Sequence, residues 1–459
     1  MVALCGRDPV NSPESLRLLL GDAGGQLYYK EMEQLPVDRP RLKQSLERCC
    51  GSRVRAWLGL CANCGLCAAS CPFYLSQRDP RDIPGYKIRM LAQMLHRPDR
   101  VDTAFMLRAM DAAFGGCTRC SRCAVHCPMG IDVGELMGIT RQILFEQGFV
   151  PWEMKLGSGM HRVYGAQMDV TGEEWRETCL WIEEEQQGLF IPMERHGADT
   201  LYVLNAREAK FYPQDIASAA LLFQLAGESW TVAETGWDGT SLSWFAGDRE
   251  GCVRNVERVY AAVDRLAPRR VVGTECGHAY RATVVEGPYL TGRADGLPPV
   301  PFLHYVEWLA EALRTGRLRL DPAKRIKEPV TIQDPCNFVR NGGLGRALRE
   351  VVHALAEDVR EMPETCDHAF CCGGGGGLNG IGRYREARNA ALSVKADQIR
   401  ATGASLVVVA CHNCWDALRD LLVLESMQGV RRSLLKPLVL QSLVLPDEIN
   451  LDGLAAIQS

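Results

Sequence analysis

The 459-residue sequence has no long apolar run. Its most hydrophobic stretches, such as Leu434 to Leu445, are broken by Lys436, Pro437, Gln441 and Ser442. None reaches the ~18–20 residues of a membrane span. Met1 to Gly25 lacks a basic segment followed by an apolar one, so a secretory signal is not expected. There is little surplus charge: 52 basic against 56 acidic residues leave a net −4. That excludes a bulk electrostatic attraction for nucleic acid. The pattern C-x-x-C-H does not occur, which excludes a c-type haem in this chain. These absences describe a soluble or peripheral protein of a reducing compartment. A hydrophobic content of 47% suffices for true cores, and the length suggests about three domains at ~150 residues each.

What is abundant is cysteine, with 20 residues. Many stand at two- and three-residue spacings, which points to metal ligation rather than a disulfide framework. Cys61-x-x-Cys64-x-x-Cys67-x-x-x-Cys71-Pro72 recurs as Cys117-x-x-Cys120-x-x-Cys123-x-x-x-Cys127-Pro128. This is the bacterial ferredoxin run, found twice. In two-cluster ferredoxins the fourth cysteine of each run ligates the other cluster. One cubane [4Fe-4S] cluster is therefore expected on Cys61, Cys64, Cys67 and Cys127. The other is expected on Cys117, Cys120, Cys123 and Cys71. Two zinc sites are the competing reading, disfavoured because zinc ribbons use separated C-x-x-C pairs. The 45 residues between Cys71 and Cys117 exceed a minimal ferredoxin. Helical patterns at Tyr86–His96 and Val101–Ala113 predict an all-helical ferredoxin module.

A third group is Cys336, the pair Cys371-Cys372, and Cys411 with Cys414. Neighbouring side chains diverge, so an adjacent pair serves an extended, multi-iron site better than a single ion. Gly373, Gly374 and Gly375 open a glycine run beside the pair, where backbone can approach a cluster and offer N–H groups to its sulfides. Spacing alone supports a thiolate-rich iron or zinc site. Gly375-x-Gly377-x-x-Gly380 formally matches a dinucleotide fingerprint, but it follows a cysteine pair instead of opening a βαβ unit. Neither NAD nor flavin is expected.

Thr200 begins an imperfect internal repeat. Thr200–Asn205 and Pro329–Gln333 read as buried strands. Ser243–Asp248 corresponds to His368–Gly373, and Arg270–Cys276 to Val407–Cys411. The expected fold class is α+β and multidomain: a helical two-cluster ferredoxin module followed by two pseudo-symmetric α/β units with ligands at strand ends. The boundaries are a helical extension at 1–55, ferredoxin domain 56–150, connector 151–198, degenerate half 199–300, linker 301–328, complete half 329–425 and tail 426–459. Helices are expected at Ser12–Leu20 and Arg41–Cys50. The tail either caps the second α/β unit or docks on a partner, with a surface segment as the favoured reading. Trp152 and Trp175 are read as packing residues, and Cys5, Cys49, Cys50 and Cys179 as structural or incidental; Cys252 and Cys366 have no partner in the repeat. Glu275-Cys276-Gly277-His278 is either a remnant of the repeat or a source of a proton donor or redox partner. His412 is either a donor to cluster sulfur or a proton shuttle.

The five-cysteine pattern resembles the C-terminal CCG domain of heterodisulfide reductase catalytic subunits. That resemblance implies a noncubane [4Fe-4S] cluster acting on disulfides, held by Cys336, Cys371, Cys372, Cys411 and Cys414. With the two ferredoxin runs, residues 55 to 425 resemble the fused D-type subunits. They are most similar to the cytoplasmic iron–sulfur subunits of transmembrane cytochrome complexes of sulfate-reducing bacteria, of the high-molecular-weight or type-II tetrahaem kind. Asp334-Pro-Cys-Asn337 and Phe370–Leu378 carry the likeness. It implies integral membrane subunits, a ferredoxin-like iron–sulfur subunit and a multihaem cytochrome c as partners, with a small disulfide-bearing redox protein as a further candidate. It also implies a place on the cytoplasmic face of the membrane. Cys276, His278 and His412 are the catalytic candidates, because a leaving thiolate at that site needs a proton donor that works near neutral pH. The alternatives are the iron–sulfur subunit of a flavin-dependent glycolate, lactate or glycerol-3-phosphate dehydrogenase, and an electron wire with no substrate of its own.

Overall fold

The computed structural model describes residues 5–20, 24–186, 188–423 and 425–446. The chain divides into two units. One takes residues 1–163, 242–252 and 367–395; the other takes 164–241, 253–366 and 396–459.

The first unit is helical. Three of its helices start where aspartates cap free backbone N–H groups. Asp38 accepts from Arg41 N at 3.0 Å, Asp102 from Phe105 N at 2.7 Å and Asp132 from Glu135 N at 3.1 Å. Helix Val133–Gln147 is the spine, packed on helices Arg39–Cys49, Pro84–His96 and Thr103–Met110. It buries Leu136, Met137, Ile143 and Leu144 against Leu42, Leu91, Met94 and Met106. Gly148, at φ 86°, ends it. The helix expected at 86–96 is present as Pro84–His96. The one expected at 101–113 runs from Thr103 to Met110 and continues as a π-turn over Asp111–Gly115. The two early helices are Pro13–Leu20 and Arg39–Cys49.

The second unit is built on two wholly parallel sheets. One has the order β2-β1-β3-β4, from β1 (Thr200–Val203), β2 (Trp230–Val232), β3 (Arg270–Gly273) and β4 (Phe302–His304). Its register pairs Leu201 with Val271 and Val272 with Leu303. The other has the order β5-β6-β7, from β5 (Val330–Gln333), β6 (Leu406–Val409) and β7 (Arg431–Leu434). It pairs Ile332 with Val408 and Val408 with Ser433. The central strands are buried throughout, as parallel strands covered on both faces must be. The chain is thus a mixed helix-and-sheet protein, with the helical cysteine-rich module first. Trp175 packs as expected: it stacks on Trp237 at 4.7 Å and donates to Ala233 O at 3.1 Å.

The tail departs from expectation. Arg431–Leu434 is a sheet strand, and helix Leu435–Gln441 after it buries six residues, Lys436 among them. Its surface reading is corrected: the interruptions that made it look amphipathic, Lys436 and Pro437, face the interior. Residues 447–459 lie outside the described residues.

Candidate functional site

The two ferredoxin runs fold alike. Each reverses direction twice between its first three cysteines, through left-handed residues at matching positions. These are Asn63 at φ 53° and Gly65 at φ 79° in one run, Arg119 at φ 57° and Ser121 at φ 61° in the other. Three of the four are not glycine and so carry a steric cost, which serves to turn the three thiols of a run toward a common point. After the fourth cysteine, Pro72 opens helix Pro72–Gln77 and leads the chain away.

The thiols then sort across the runs. Cys61, Cys64, Cys67 and Cys127 line one cavity of ≈ 350 Å³, with Cys123 also on its wall and Leu66, Tyr86 and Met129 at its apolar rim. Cys71, Cys117, Cys120 and Cys123 line a second, narrower cavity of ≈ 30 Å³ beside the buried Lys87. Their electrostatics sort in the same way. Burial raises the Cys67 thiol, and Cys61, Cys64 and Cys127 raise it further. Burial raises Cys123, with Cys120, Cys117 and Cys71 adding to it. Each set can be held as thiolates only around a compensating cationic core. No carboxylate or imidazole lines either cavity. A pure four-thiol donor set of this kind fits an iron–sulfur group.

The cysteine pair sits against the loop of the second ferredoxin run. Cys371 and Cys372 are buried, and Cys371 Sγ accepts from Thr118 Oγ1 at 3.3 Å and from Gly373 N at 3.4 Å. The glycine run is needed for this approach. A Cβ on Gly375 would stand 3.4 Å from Thr118 O, and one on Gly376, at φ 65°, only 2.8 Å from it. Gly373 is also left-handed, at φ 81°, and Gly374 abuts the Asn379 side chain. Arg141, fully buried, fastens the two segments: Nη2 donates to Cys117 O at 2.7 Å and Nη1 to Gly376 O at 2.8 Å.

In the second unit Cys411 follows β6, Cys336 lies just past β5, and Cys276 lies just past β3. All three, with Cys414, are buried. The Cys411 thiol is drawn down to about 6, first by a hydrogen bond from Cys414. Burial pushes Cys276 far up, and the neighbouring Cys411 adds to it. Asn413 Nδ2 lies 4.0 Å from Cys276 Sγ. Asp334, two residues before Cys336, is held by both terminal nitrogens of Arg349 at 2.9 and 3.0 Å and accepts from Cys366 N at 2.8 Å. His278 is buried in the short helix Gly277–Tyr280.

His412 belongs to a charge network that sequence reading missed. Its Nε2 lies 2.9 Å from Asp215 Oδ2 and its Nδ1 lies 3.0 Å from Asn205 Nδ2. Both ring nitrogens are thus engaged with these two residues and neither bond goes to a thiol. Lys436 Nζ sits among Asp215 Oδ2 at 2.5 Å, Glu208 Oε1 at 3.0 Å, and Tyr202 OH and Thr274 Oγ1 at 3.2 Å. Glu208, Asp215 and His412 are spaced like metal ligands, and the Lys436 ammonium already supplies their cation. Burial works against an imidazolium, but the Asp215 hydrogen bond and the Glu208 and Asp215 charges push His412 up to about 9. Asn205 Oδ1 accepts from Arg207 N at 3.0 Å while its Nδ2 donates to Glu208 Oε2 at 3.1 Å. A proton on His412 Nδ1 therefore requires the Asn205 amide to turn over. Burial also pushes Glu275 up to about 8; its carboxylate accepts from Lys436 N at 2.9 Å and Leu435 N at 3.2 Å.

Two family models match. The 4Fe-4S dicluster domain covers residues 57–131, which span both ferredoxin runs. The CCG cysteine-rich domain covers residues 330–419, which span the other five cysteines. The Hdr-like menaquinol oxidoreductase iron-sulfur subunit 2 of Archaeoglobus fulgidus is 24% identical over 392 residues, 73% of this chain and 70% of that protein. The chain is thus similar over most of its length to heterodisulfide reductase-like iron–sulfur subunits. Two more distant likenesses are the EtfAB:quinone oxidoreductase of Syntrophomonas wolfei, 24% identical over 66% of this chain and 43% of that protein, and a probable membrane-anchored ferredoxin of Chromohalobacter salexigens, 24% identical over 77% and 55%. The two domain matches and these likenesses support an electron-transfer oxidoreductase subunit with iron–sulfur clusters. Among the described residues no helix is long and apolar enough to cross a membrane.

Proposed function

We propose that this chain carries electrons through two cubane [4Fe-4S] clusters to a noncubane [4Fe-4S] cluster of the CCG type, where a disulfide or thiol substrate reacts. Cys61, Cys64, Cys67 and Cys127 hold the outer cubane, and Cys71, Cys117, Cys120 and Cys123 the inner one. Cys336, Cys371, Cys372, Cys411 and Cys414 hold the third cluster. The observation that carries the reading is the sorting of eight thiols into two sets that cross the runs. When bound, the clusters supply one-electron transfer. Four thiols fill the four positions of each cubane, so neither leaves a place for substrate sulfur. Cys276 lies beside Cys411, and Cys276, His278 and His412 move the proton that the leaving thiolate needs. His412 exchanges that proton on its Asp215 side, where Lys436 keeps Asp215 ionised.

The sheets β1-β3-β4 and β5-β6-β7 are, on this reading, a degenerate and a complete copy of one repeat. The partners are integral membrane subunits, a ferredoxin-like subunit and a multihaem cytochrome c, and the chain sits at the inner face of the cytoplasmic membrane. A second reading, an electron wire without its own substrate, draws support from relatives whose names specify menaquinol or quinone oxidoreduction. One experiment separates the two. Anaerobic turnover with a thiol or disulfide should generate a paramagnetic species that broadens with iron-57 and responds to isotopic substitution of the substrate sulfur. It should vanish in Cys371→Ser while both cubane signals survive. Full-rate electron delivery to an acceptor in that variant would establish the wire.

A further inference from the structure

The pair Cys371-Cys372 is hydrogen-bonded onto the loop of the inner set of thiols, whereas the outer set meets the same segment through an edge-on ring contact, His126 against His368 at 5.4 Å. Thr118, the residue after Cys117, is 4% exposed and gives its hydroxyl to Cys371 Sγ at 3.3 Å. Its carbonyl faces Gly375 and Gly376, and at Gly376 a Cβ would stand only 2.8 Å from it. Arg141 joins Cys117 O to Gly376 O. Arg122 donates to His368 O at 2.6 Å and lays its guanidinium 3.6 Å from the centre of the Phe370 ring. Three side chains from the second ferredoxin run and the spine helix thus fix residues 368–376 against residues 117–122. Such stitching is more than packing requires. It leaves a short connection between the inner thiols and the pair: the covalent step from Cys117 to Thr118, followed by one O–H···S hydrogen bond.

We infer that Thr118 is a positioning residue through which the inner cubane, and not the outer one, hands electrons to the CCG site. This rests on the cluster assignment proposed above. In the step, one electron leaves the cluster held by Cys71, Cys117, Cys120 and Cys123 and arrives at the group that Cys371 ligates. No bond forms or breaks, and Thr118 keeps its proton. Its hydroxyl serves twice. It shortens the through-space gap, and it stabilises the extra negative charge on the Cys371 sulfur. Electron flow in either direction uses the same link. The order of the chain follows: the outer set, open at its apolar rim, exchanges electrons with the partner, and the inner set exchanges them with the CCG site.

The test is a potentiometric titration of the anaerobically purified full chain, followed by EPR, on wild type, Thr118→Val, Thr118→Ala and Thr118→Ser. Losing the hydroxyl should lower the reduced-to-oxidised ratio of the CCG group about tenfold at fixed potential, about 59 mV for a one-electron couple. The outer cubane should not move. Rapid-freeze kinetics should show slower passage from the inner cubane to the CCG group in Val and Ala, with Ser restoring both potential and rate. Ala adds no bulk, so it serves if Val does not assemble. An unchanged CCG potential and passage rate in Val or Ala would overturn the inference. So would an equal shift of the outer cubane. A wild-type protein with only two clusters would instead overturn the assignment beneath it, which the iron content of the same sample reveals.

Discussion

Replacing Lys436 by Met should unfold much of the second unit's polar core. The ammonium is fully buried, as are Glu208 and Asp215, and it is the cation these carboxylates share. Removing one partner of a buried pair costs about 3–5 kcal/mol, because the other charge stays behind unpaired. Here Glu208 keeps only neutral partners and Asp215 only His412, while Tyr202 and Thr274 lose a hydrogen-bond partner, so about 5 kcal/mol is expected. Against a typical total of about 5–15 kcal/mol, this is a third or more of the stability. The assay is anaerobic urea denaturation read by near-ultraviolet dichroism, with visible absorbance following the clusters separately. Adding Glu208→Gln to Lys436→Met removes one stranded charge and should recover roughly 2 kcal/mol, a coupling that a double-mutant cycle measures. A Lys436→Met protein within about 0.5 kcal/mol of wild type would refute the reasoning, since that is the range of surface substitutions.

Cys71→Ser should perturb the cluster held by Cys117, Cys120 and Cys123 and spare the one held by its own run; EPR of each cubane reads this, and loss of the first-run signal alone would contradict it. Lys87, buried beside the inner thiols with Nζ 3.4 Å from Asp82 Oδ1, stabilises added negative charge there. Lys87→Met should lower the inner cubane potential and Asp82→Asn should raise it, as redox titration will show. Asp238 is buried and accepts from Gln167 N at 2.9 Å and Thr240 N at 2.8 Å, and burial pushes it up from 3.8 to about 7. A raised folded pKa means that its stabilising contribution is complete at acid pH and is lost as pH rises through about 7. Urea melts between these limits should show that decline, flattened in Asp238→Asn.

What the sequence made legible were the features whose chemistry dictates spacing. The two ferredoxin runs could be read, because four thiols around one cluster tolerate few spacings. The strands after which Cys276 and Cys411 lie could be read because parallel strands buried on both faces are continuous apolar runs. What was not legible depends on pairings across the chain. Lys436 reads as an interruption in an apolar stretch, and Asp215 as an ordinary acid in a first helical turn. Nothing local says that these two, 221 residues apart by number, share one buried contact. Thr118 occupies an unconstrained position inside C-x-x-C, and only the folded glycine run shows what its hydroxyl meets. His412 was found by its place between two cysteines, yet its partners Asn205 and Asp215 turn it toward the charge network.

The central claim is the cluster content, and anaerobic purification followed by iron and zinc analysis with Mössbauer spectroscopy tests it most directly. The account predicts about twelve irons per chain, in two cubane components and one of a different kind. Zinc with little iron would contradict it altogether, and about eight irons with Cys336, Cys371, Cys372, Cys411 and Cys414 intact would remove the CCG cluster from it.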